Sequence, residues 1–295
     1  MMSRAPLLGW FALTLLAAAV VATACGSDPG FSEDELILAT TTSLNDSGLL
    51  DQLVPIFEDE AEVSVKIIAV GTGAALRMGA DGNADVLLTH APDAERVLVE
   101  AGDVTGRALV AYNDFVIVGP PDDPASVGGT SDVSTALARI AASGATFASR
   151  GDDSGTHKKE LSLWSETGVS PLVEADDWYI EVGQGMSATL TVANQRAAYA
   201  LTDRGTYLSL SADIPDLLTL VEGDPLLLNF YSVMLVNGDK GRINTVASQQ
   251  FADFLIRDDI QAMIGEYLRE VYGQPLFIPA AHETEQAIAA RGGTD

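Results

Sequence analysis

The chain has 295 residues, of which 47% are hydrophobic, and its formal net charge at pH 7 is -26. This length and apolar content suffice for one large domain or two ordinary ones with a substantial core, and they exclude a disordered chain. The acidic balance excludes nucleic acid as an expected partner, because the chain has no excess of Lys and Arg to neutralise phosphates.

Residues 1–24 have the pattern of a secretion signal, with Arg4 as a small positive start and an apolar stretch over 7–24. Cys25 follows the small residues that end this stretch, which is typical of a lipoprotein cleavage site. We therefore expect cleavage before Cys25, lipidation of Cys25 and a tether over 25–34. An ordinary signal peptide with an incidental cysteine, or a membrane anchor, are the alternatives. Because the sequence has one cysteine, no disulfide, cysteine metal site or cysteine nucleophile is predicted in the body.

Predicted strands and helices alternate along the first half of the body. Strands are predicted at 36–39, 63–70, 84–89 and 112–119, and helices at 49–57, 74–78 and 94–101. Asn45, Asp46 and Ser47 are candidate N-caps of the first helix. Alternation at this spacing predicts a mostly parallel sheet that helices cover on both faces.

The second half continues the alternation and ends in a helical tail. Helices are predicted at 133–142, 188–194 and 244–271, and strands at 145–148, 178–182, 197–201, 217–222 and 226–236. We expect lobe one to hold 35–117 plus 226–295 and lobe two to hold 118–225, with the stretch 226–236 crossing back. A ligand would then lie between the lobes, outside the carboxyl ends of the strands.

Four turns that follow predicted strands share one chemistry, namely the turns at 41–43, 71–73, 150–156 and 183–187. Each has small residues, potential donors and a following helix whose positive end faces the turn. Together they predict an anion site; an acidic surface does not exclude it, since salt screens distant charges over roughly 8 Å. The candidate residues are Thr41, Thr42, Ser43, Thr72, Arg150, Ser154, Gly155, Thr156, Met186 and Ser187.

The donor set indicates which kind of anion would fit. A fully deprotonated tetrahedral dianion accepts hydrogen bonds and cannot donate them, so its ideal site contains donors alone. A protonated oxyanion such as phosphate needs an acceptor, which Asp152 or Asp153 could supply. Alternatively, both aspartates face away and stabilise the start of the following helix. We prefer the second arrangement, and phosphate stays open as the alternative ligand.

Four segments carry a resemblance to a known family: Leu-Ala-Thr-Thr-Thr-Ser-Leu at 38–44, Tyr-Asn-Asp-Phe-Val-Ile-Val-Gly-Pro at 112–120, Ser-Arg-Gly-Asp-Asp-Ser-Gly-Thr-His at 149–157, and Leu-Thr-Asp-Arg-Gly-Thr-Tyr at 201–207. They resemble the tungstate-binding, extracytoplasmic substrate-binding proteins of bacterial ABC importers, over nearly the whole chain after the signal. The resemblance implies an α/β, type II periplasmic-binding-protein fold in which two crossing strands join two lobes. It also implies capture of tungstate, and less readily molybdate, for delivery to a membrane permease, with no cofactor.

By matching motif, Thr41, Thr42 and Ser43 would face the oxyanion from lobe one, and Arg150, Ser154 and Thr156 would face it from lobe two. Thr72, Met186 and Ser187 rest on turn geometry alone. We expect a monomer, held through lipidated Cys25 on the outer face of the cell membrane.

A serine hydrolase is the distant alternative, because Gly-Asp-Asp-Ser-Gly at 151–155 also resembles the nucleophile loop of trypsin-like proteases. Such an enzyme needs a base beside Ser154, and the histidines are His90, His157 and His282. His157 follows Ser154 by three residues, but the sequence has no Gly-x-Ser-x-Gly elbow around Ser154. The histidines and carboxylates also lack metal-ligand spacing. We therefore expect neither an enzyme nor a protein-ligated metal ion.

Overall fold

The computed structural model describes residues 34–172 and 175–292. The predicted signal peptide over 1–24 and the predicted lipidation site Cys25 lie outside these residues. So does most of the tether predicted over 25–34.

Ten strands occur in the part of the chain that is described. They are Glu35–Thr41 (β1), Ser64–Val70 (β2), Val86–Thr89 (β3), Val104–Gly119 (β4), Phe147–Ser149 (β5), Tyr179–Glu181 (β6), Ala200–Asp203 (β7), Leu218–Val221 (β8), Leu228–Val236 (β9) and Ile278–Pro279 (β10). The predicted strands are confirmed with small shifts of their ends. The exception is β4, which begins eight residues before the predicted start at Tyr112.

The same residues form twelve α-helices. They are Thr42–Asp46 (α1), Leu49–Ala61 (α2), Thr72–Ala80 (α3), Pro92–Ala101 (α4), Val133–Ser143 (α5), Gly155–Glu166 (α6), Met186–Arg196 (α7), Arg204–Leu210 (α8), Thr245–Leu255 (α9), Asp258–Glu266 (α10), Arg269–Tyr272 (α11) and Glu285–Ala290 (α12). The predicted helical tail is split into α9, α10 and α11. The short elements β10 and α12 follow it, and the apolar pattern does not indicate them.

The prediction of a mostly parallel sheet was wrong. The pairs β1/β2, β1/β3 and β5/β6 are parallel. In contrast, β9 is antiparallel to β3 and β4, and β4 is also antiparallel to β7, β8 and β10. The difference arises because the chain returns to each part of the sheet beside the long strand β4, running in the opposite direction.

Strand β4 connects two packed regions. Its residues up to Asp114 pair with β9, and its residues from Phe115 pair with β7 and then β8. We call the region built on β1–β3, β9 and β10 lobe one, and the region built on β5–β8 lobe two. The second connection is the segment 222–227, which contains the 3-10 turn Pro225–Leu227. Strand β9 therefore begins at Leu228, two residues after its predicted start.

Each lobe has its own aromatic core. In lobe one the ring of Phe57 on α2 lies 5.0 Å from that of Phe251 and 5.5 Å from that of Phe254, both on α9. In lobe two the ring of Phe147 on β5 lies 5.2 Å from that of Trp164 on α6. Burial of one such ring contributes roughly 1.5–3 kcal/mol. Each core thus fixes the strand ends of its own lobe.

Candidate functional site

A cavity of about 550 Å³ lies where the two lobes meet, at the ends of β1 and β5. From lobe one it is lined by Thr42, Ser43 and Gly71, and from lobe two by Arg150, Met186 and Ser187, with further residues of both lobes. Sequence reasoning named five of these six residues as site candidates. The structure therefore brings turns from both lobes to one cavity, as the strand-end argument predicts.

The turn after β1 is held by its own hydroxyl groups. Thr41 Oγ1 accepts a hydrogen bond from Leu44 N at 3.4 Å and caps α1. Ser43 Oγ lies 3.4 Å from Thr41 Oγ1 and 3.1 Å from His90 Nε2. The prediction that Asn45, Asp46 or Ser47 caps the first long helix was wrong, because α1 intervenes and Gly48, at φ 77°, is the N-cap of α2.

Thr72, the first residue of α3, carries a buried hydroxyl group that lacks a partner. Its residue exposure is 1%, and Oγ1 makes no hydrogen bond to any residue of 34–172 or 175–292. The preceding residue, Gly71, gives α3 no side-chain cap. Leaving a buried polar group unsatisfied costs about 1–3 kcal/mol. Such a group at a helix N-terminus is suited to an anion that supplies the missing acceptor.

Gly155 brings lobe two into close contact with this point. A Cβ atom added to Gly155 would lie 2.7 Å from Thr72 Oγ1 and 2.7 Å from His90 Cε1. Contacts this short do not occur for real side chains, so glycine is required for the start of α6 to approach lobe one. Gly155 was a candidate from sequence, and its role in the structure includes this contact between the lobes.

Arg150 is buried in the loop between β5 and α6. Its Nε and Nη2 atoms donate to Asp152 Oδ2, at 3.1 and 2.5 Å, while Asp152 Oδ1 accepts from Ser154 N at 3.2 Å. Burial alone would raise the pKa of Asp152, but hydrogen bonds from Ser154 and Arg150 outweigh it and hold the pKa below its usual value. The guanidinium is thus oriented by a carboxylate of its own loop.

The preference for both aspartates facing away was wrong for Asp152. Its carboxylate turns toward Arg150 because that charge lies two residues back in the same tight loop. Asp153 does point outward, where its exposed side chain pairs with Lys158. Both Gly151 and Asp153 have φ near 59°, a left-handed conformation that glycine adopts freely and that strains the backbone of Asp153.

Ser154 and Thr156 are both buried at the start of α6. Ser154 Oγ accepts a hydrogen bond from His157 N at 3.2 Å and caps the helix. The His157 ring contacts Asp153 N through Nδ1 at 3.1 Å, and not the Ser154 hydroxyl. This geometry gives Ser154 the role of a cap and leaves the hydrolase alternative without its base.

His90 is the residue of this region that sequence reasoning missed as part of an anion site. It follows β3 and lies 94% buried, between Ser43 and Asn229. Burial lowers the pKa of His90 to about 4, although its hydrogen bond with Asn229 works against the shift. A signal existed, because His90 also follows a strand of lobe one, but its turn lacks the hydroxyl pattern of the other four.

The connection between the lobes carries an ion-pair network. Arg204, at the start of α8, donates to both carboxylate oxygens of Asp114 on β4, at 2.7 and 2.5 Å, and to Glu222 at 2.7 Å. Next to it, Asp203 caps α8 by accepting from Thr206 N at 2.9 Å. Burial raises the pKa of Asp203. This network fixes α8 beside the point where β4 passes between the lobes.

Within 34–172 and 175–292 no helix is both long enough and apolar enough to cross a membrane. The same residues contain no group of three or more His, Cys, Asp or Glu side chains placed to hold a metal ion.

Comparison with known proteins gives concordant results. Residues 19–259 match the family model of the PBP superfamily domain. A curated tungstate-binding protein TupA from Peptoclostridium acidaminophilum is 47% identical over 253 residues, which is 85% of this chain and 87% of the relative. The solved structure of the tungstate-binding protein TupA from Desulfovibrio alaskensis G20 is 44% identical with a TM-score of 0.74, covering 84% of this chain and 99% of that one. A structure described as the tungstate ABC transporter from Geobacter sulfurreducens is 44% identical with a TM-score of 0.71, covering 80% and 100%.

Proposed function

The chain belongs to the PBP superfamily and, within it, to the family of the TupA tungstate-binding proteins, and from that premise we propose that it captures tungstate outside the cytoplasm for an ABC importer. The anion is held between two lobes and passed to a permease in the membrane. Its relatives are binding proteins, and no catalytic step or cofactor is assigned to this chain. Molybdate, with the same charge and shape, is the second ligand.

One observation carries this proposal, the unpartnered Thr72 hydroxyl at the contact between the lobes. Thr72 lies in lobe one, Gly155 touches it from lobe two, and Arg150 precedes Gly155 in the same loop. An oxyanion placed here would accept from the Thr72 hydroxyl, from backbone N–H groups of two helix starts and from the guanidinium. Arg150 Nη1 is available, since it makes no hydrogen bond within 34–172 or 175–292.

We assign the remaining candidates to positions around the Thr72 hydroxyl. Thr41, Thr42 and Ser43 would complete the lobe-one side, and Ser154, Thr156 and the α6 backbone at Gly155 the lobe-two side. Met186 and Ser187 begin α7, which has a glycine N-cap without a side-chain cap, so its first N–H groups can reach the cavity. Closure would withdraw the anion from water, and its hydrogen bonds would gain strength in the less polar surroundings.

Phosphate fits this site less well than a naked dianion. Phosphate at neutral pH carries a proton and needs an acceptor. Two carboxylates line the cavity, those of Asp46 and Asp152. Asp152 lies beside Arg150 and already accepts hydrogen bonds from Arg150 and from Ser154 N. Using it for phosphate would remove the group that orients the guanidinium.

Three further proposals concern the chain as a whole. We propose lobe bounds of 35–117 plus 226–295 and of 118–225, with the lobes closing about β4 and the segment 222–227. We propose that residues 1–24 are removed, that Cys25 is lipidated and anchors the protein to the outer face of the cell membrane, and that the protein is a monomer. Release of a Cys25→Ala variant from the membrane fraction, with the parent retained there, is the expected result for the anchor.

Isothermal titration with tungstate, molybdate, phosphate and sulfate tests the ligand. We expect one tungstate per chain, weaker or equal binding of molybdate, and no displacement of tungstate by a hundredfold excess of phosphate, roughly 2.7 kcal/mol of discrimination or more. Displacement at that excess would support phosphate instead. Absence of tungstate binding would refute the proposed function.

A further inference from the structure

We propose that capture of the anion is coupled to the uptake of one proton by His90, which turns the Ser43 hydroxyl from the imidazole ring toward the anion. This inference rests on the proposed function, since it requires a doubly charged oxyanion beside Ser43. It assigns His90 as a positioning residue, because His90 acts on the anion through Ser43.

The hydrogen-bond partners of His90 determine which ring nitrogen carries the proton. Its Nδ1 lies 2.9 Å from Asn229 Oδ1, so Nδ1 carries a proton and donates it. The Asn229 amide is held in this orientation because its Nδ2 donates to Asn113 Oδ1 at 2.8 Å and to Tyr231 Oη at 2.9 Å. In a neutral imidazole the other nitrogen, Nε2, is then an acceptor.

This tautomer decides what Ser43 offers to the cavity. Ser43 Oγ lies 3.1 Å from His90 Nε2, so the Ser43 hydroxyl must donate its proton to the ring. A serine that donates to histidine presents a lone pair to the cavity that it lines. A lone pair repels a dianion, so the free protein holds Ser43 in the wrong orientation for its ligand.

Protonation of the ring reverses the orientation. An imidazolium donates from both nitrogens, so Nε2–H would donate to Ser43 Oγ and the Ser43 O–H would be released to the anion. The Nδ1–H bond to Asn229 is kept. The only net change is the transfer of one proton from solvent to Nε2.

The charges around His90 favour this change when an anion is bound. In the free protein the ring is buried, which lowers its pKa, and the positive charge of Arg150 lowers it further. The Tyr231 ring lies 5.1 Å away at an interplanar angle of 39°, and Lys158, Lys159 and Asp93 line a cavity of about 440 Å³ with His90. A dianion between Ser43 and Arg150 cancels the guanidinium charge and leaves a net negative field at the ring, so the pKa of His90 rises on binding.

The sign of the resulting pH dependence follows from linkage. A group whose pKa is higher in the complex than in the free protein takes up a proton on binding. The affinity is then constant below the free-protein pKa and falls as the pH rises toward the pKa of the complex. Between these two values the loss is about tenfold per pH unit for one proton.

Titration calorimetry of the protein with tungstate in PIPES and in Tris at pH 7.2 measures the coupling. Because the buffers differ in ionisation enthalpy, the difference in heat gives the number of protons taken up. We expect the uptake to approach one proton per anion, and His90→Gln to bind tungstate with that proton lost. His282→Asn is the matched control, because His282 is an exposed turn residue at φ 65°, which asparagine tolerates; it should keep the full uptake.

Nitrogen-15 spectra of the imidazole rings test the protonation of His90 without a substitution. They test the proposal even if His90→Gln does not fold. The chain has three histidines, so the His90 signals are assignable. We expect a neutral ring protonated at Nδ1 in the free protein and an imidazolium in the complex. A ring that stays neutral with tungstate bound, a free ring protonated at Nε2, or a buffer-independent heat would each overturn the coupling. Absence of tungstate binding would instead overturn the proposed function.

Discussion

The two lobes contribute different chemistry to the cavity between them. The lobe-one turns, at Thr41–Ser43 and Gly71–Thr72, offer hydroxyl groups and helix starts without any full charge. The lobe-two loop from Ser149 to His157 offers a buried guanidinium, which Asp152 orients through two hydrogen bonds. The positive charge of the proposed site therefore comes from lobe two, while lobe one contributes neutral donors, and Asp46 at the end of α1 adds a carboxylate to the lining of the cavity.

This difference predicts separate contributions of the two lobes to anion binding. A charged loop attracts an anion from a distance, because Coulomb energy falls off slowly. Neutral hydroxyl groups stabilise the anion only through direct hydrogen bonds, which form when the lobes close. We therefore expect the lobe-one hydroxyl groups to determine mainly the stability of the closed state. The lobe-two guanidinium should determine most of the affinity for the anion.

Arg150→Ala tests the larger part of this comparison and should have the largest effect. A buried dianion without its counter-charge is expensive, so we expect tungstate affinity to fall by at least a hundredfold, roughly 3 kcal/mol. Lys158→Ala is the control, because Lys158 makes an exposed pair with Asp153 in the same loop; surface pairs contribute about 0–1 kcal/mol. If calorimetry gave equal losses of tungstate affinity for the two variants, Arg150 would contribute no more to binding than an exposed surface charge.

Gly155→Ala tests the contact between the lobes. The added Cβ would meet Thr72 Oγ1 and His90 Cε1 at 2.7 Å, so the lobes must move apart. Overpacking typically costs about 1–3 kcal/mol, and we expect a loss of affinity in that range together with a larger radius of gyration in solution scattering. Gly238→Ala is the control, because Gly238 is exposed and does not line the cavity, and its added Cβ would contact only Thr245 Cγ2, at 3.2 Å. A compact Gly155→Ala protein with parental affinity would contradict the contact.

Thr72→Val tests the neutral donors of lobe one. The variant removes a hydroxyl that is unsatisfied in the free protein, so the free energy of unfolding without ligand should stay unchanged or rise. Tungstate affinity should fall by about tenfold, or 1.4 kcal/mol, because one donor to the anion is lost. Denaturant unfolding and calorimetry measure the two quantities.

Thr189→Val provides the matched control for that experiment. Thr189 is fully buried in α7, and its hydroxyl has a partner, Gly185 O at 3.2 Å. This substitution should lower stability and leave affinity nearly unchanged. If Thr72→Val behaved like Thr189→Val, the Thr72 hydroxyl would be structural.

Glu160→Gln should change affinity least, by less than about threefold, and its effect should appear in the pH dependence of stability. Glu160 lies beneath the lobe-two loop and accepts from Tyr179 Oη at 2.7 Å and Trp164 Nε1 at 3.2 Å. Burial raises its pKa from 4.5 to about 7, against those hydrogen bonds. A carboxyl with a raised pKa stabilises the fold below pH 4.5, and this contribution is lost as the pH rises through 7.

Thermal unfolding between pH 5 and 8 measures this effect. The parent should lose stability as the pH rises across that window, and the Gln variant should lose less, because its amide keeps the acceptor and does not ionise. Parallel curves for the two proteins would mean that Glu160 does not titrate there.

The parts of the site that depend on local sequence were predictable. The turns at Thr41–Ser43 and Arg150–Thr156 are short contiguous motifs at strand ends, and a motif of this kind carries its own geometry. The cavity then follows, because strands that end at the same edge bring their turns together.

The parts that depend on distant partners were not predictable. His90 contacts Ser43, which lies 47 residues away along the chain, and Asn229, which lies 139 residues away. The antiparallel pairing of β9 with β4 is equally remote. The Arg150 and Asp152 pair is local, yet which way an aspartate turns in a glycine loop depends on the balance of helix dipole against guanidinium. Residue types alone do not give that balance.

Diffraction from crystals grown with tungstate, recorded at the tungsten absorption edge, locates the bound anion. We predict one strong anomalous peak between the lobes, with ligand oxygens about 2.7–3.2 Å from Thr72 Oγ1 on one side and from an Arg150 nitrogen on the other. A peak that contacts one lobe alone, or that lies outside this cavity, would contradict this prediction.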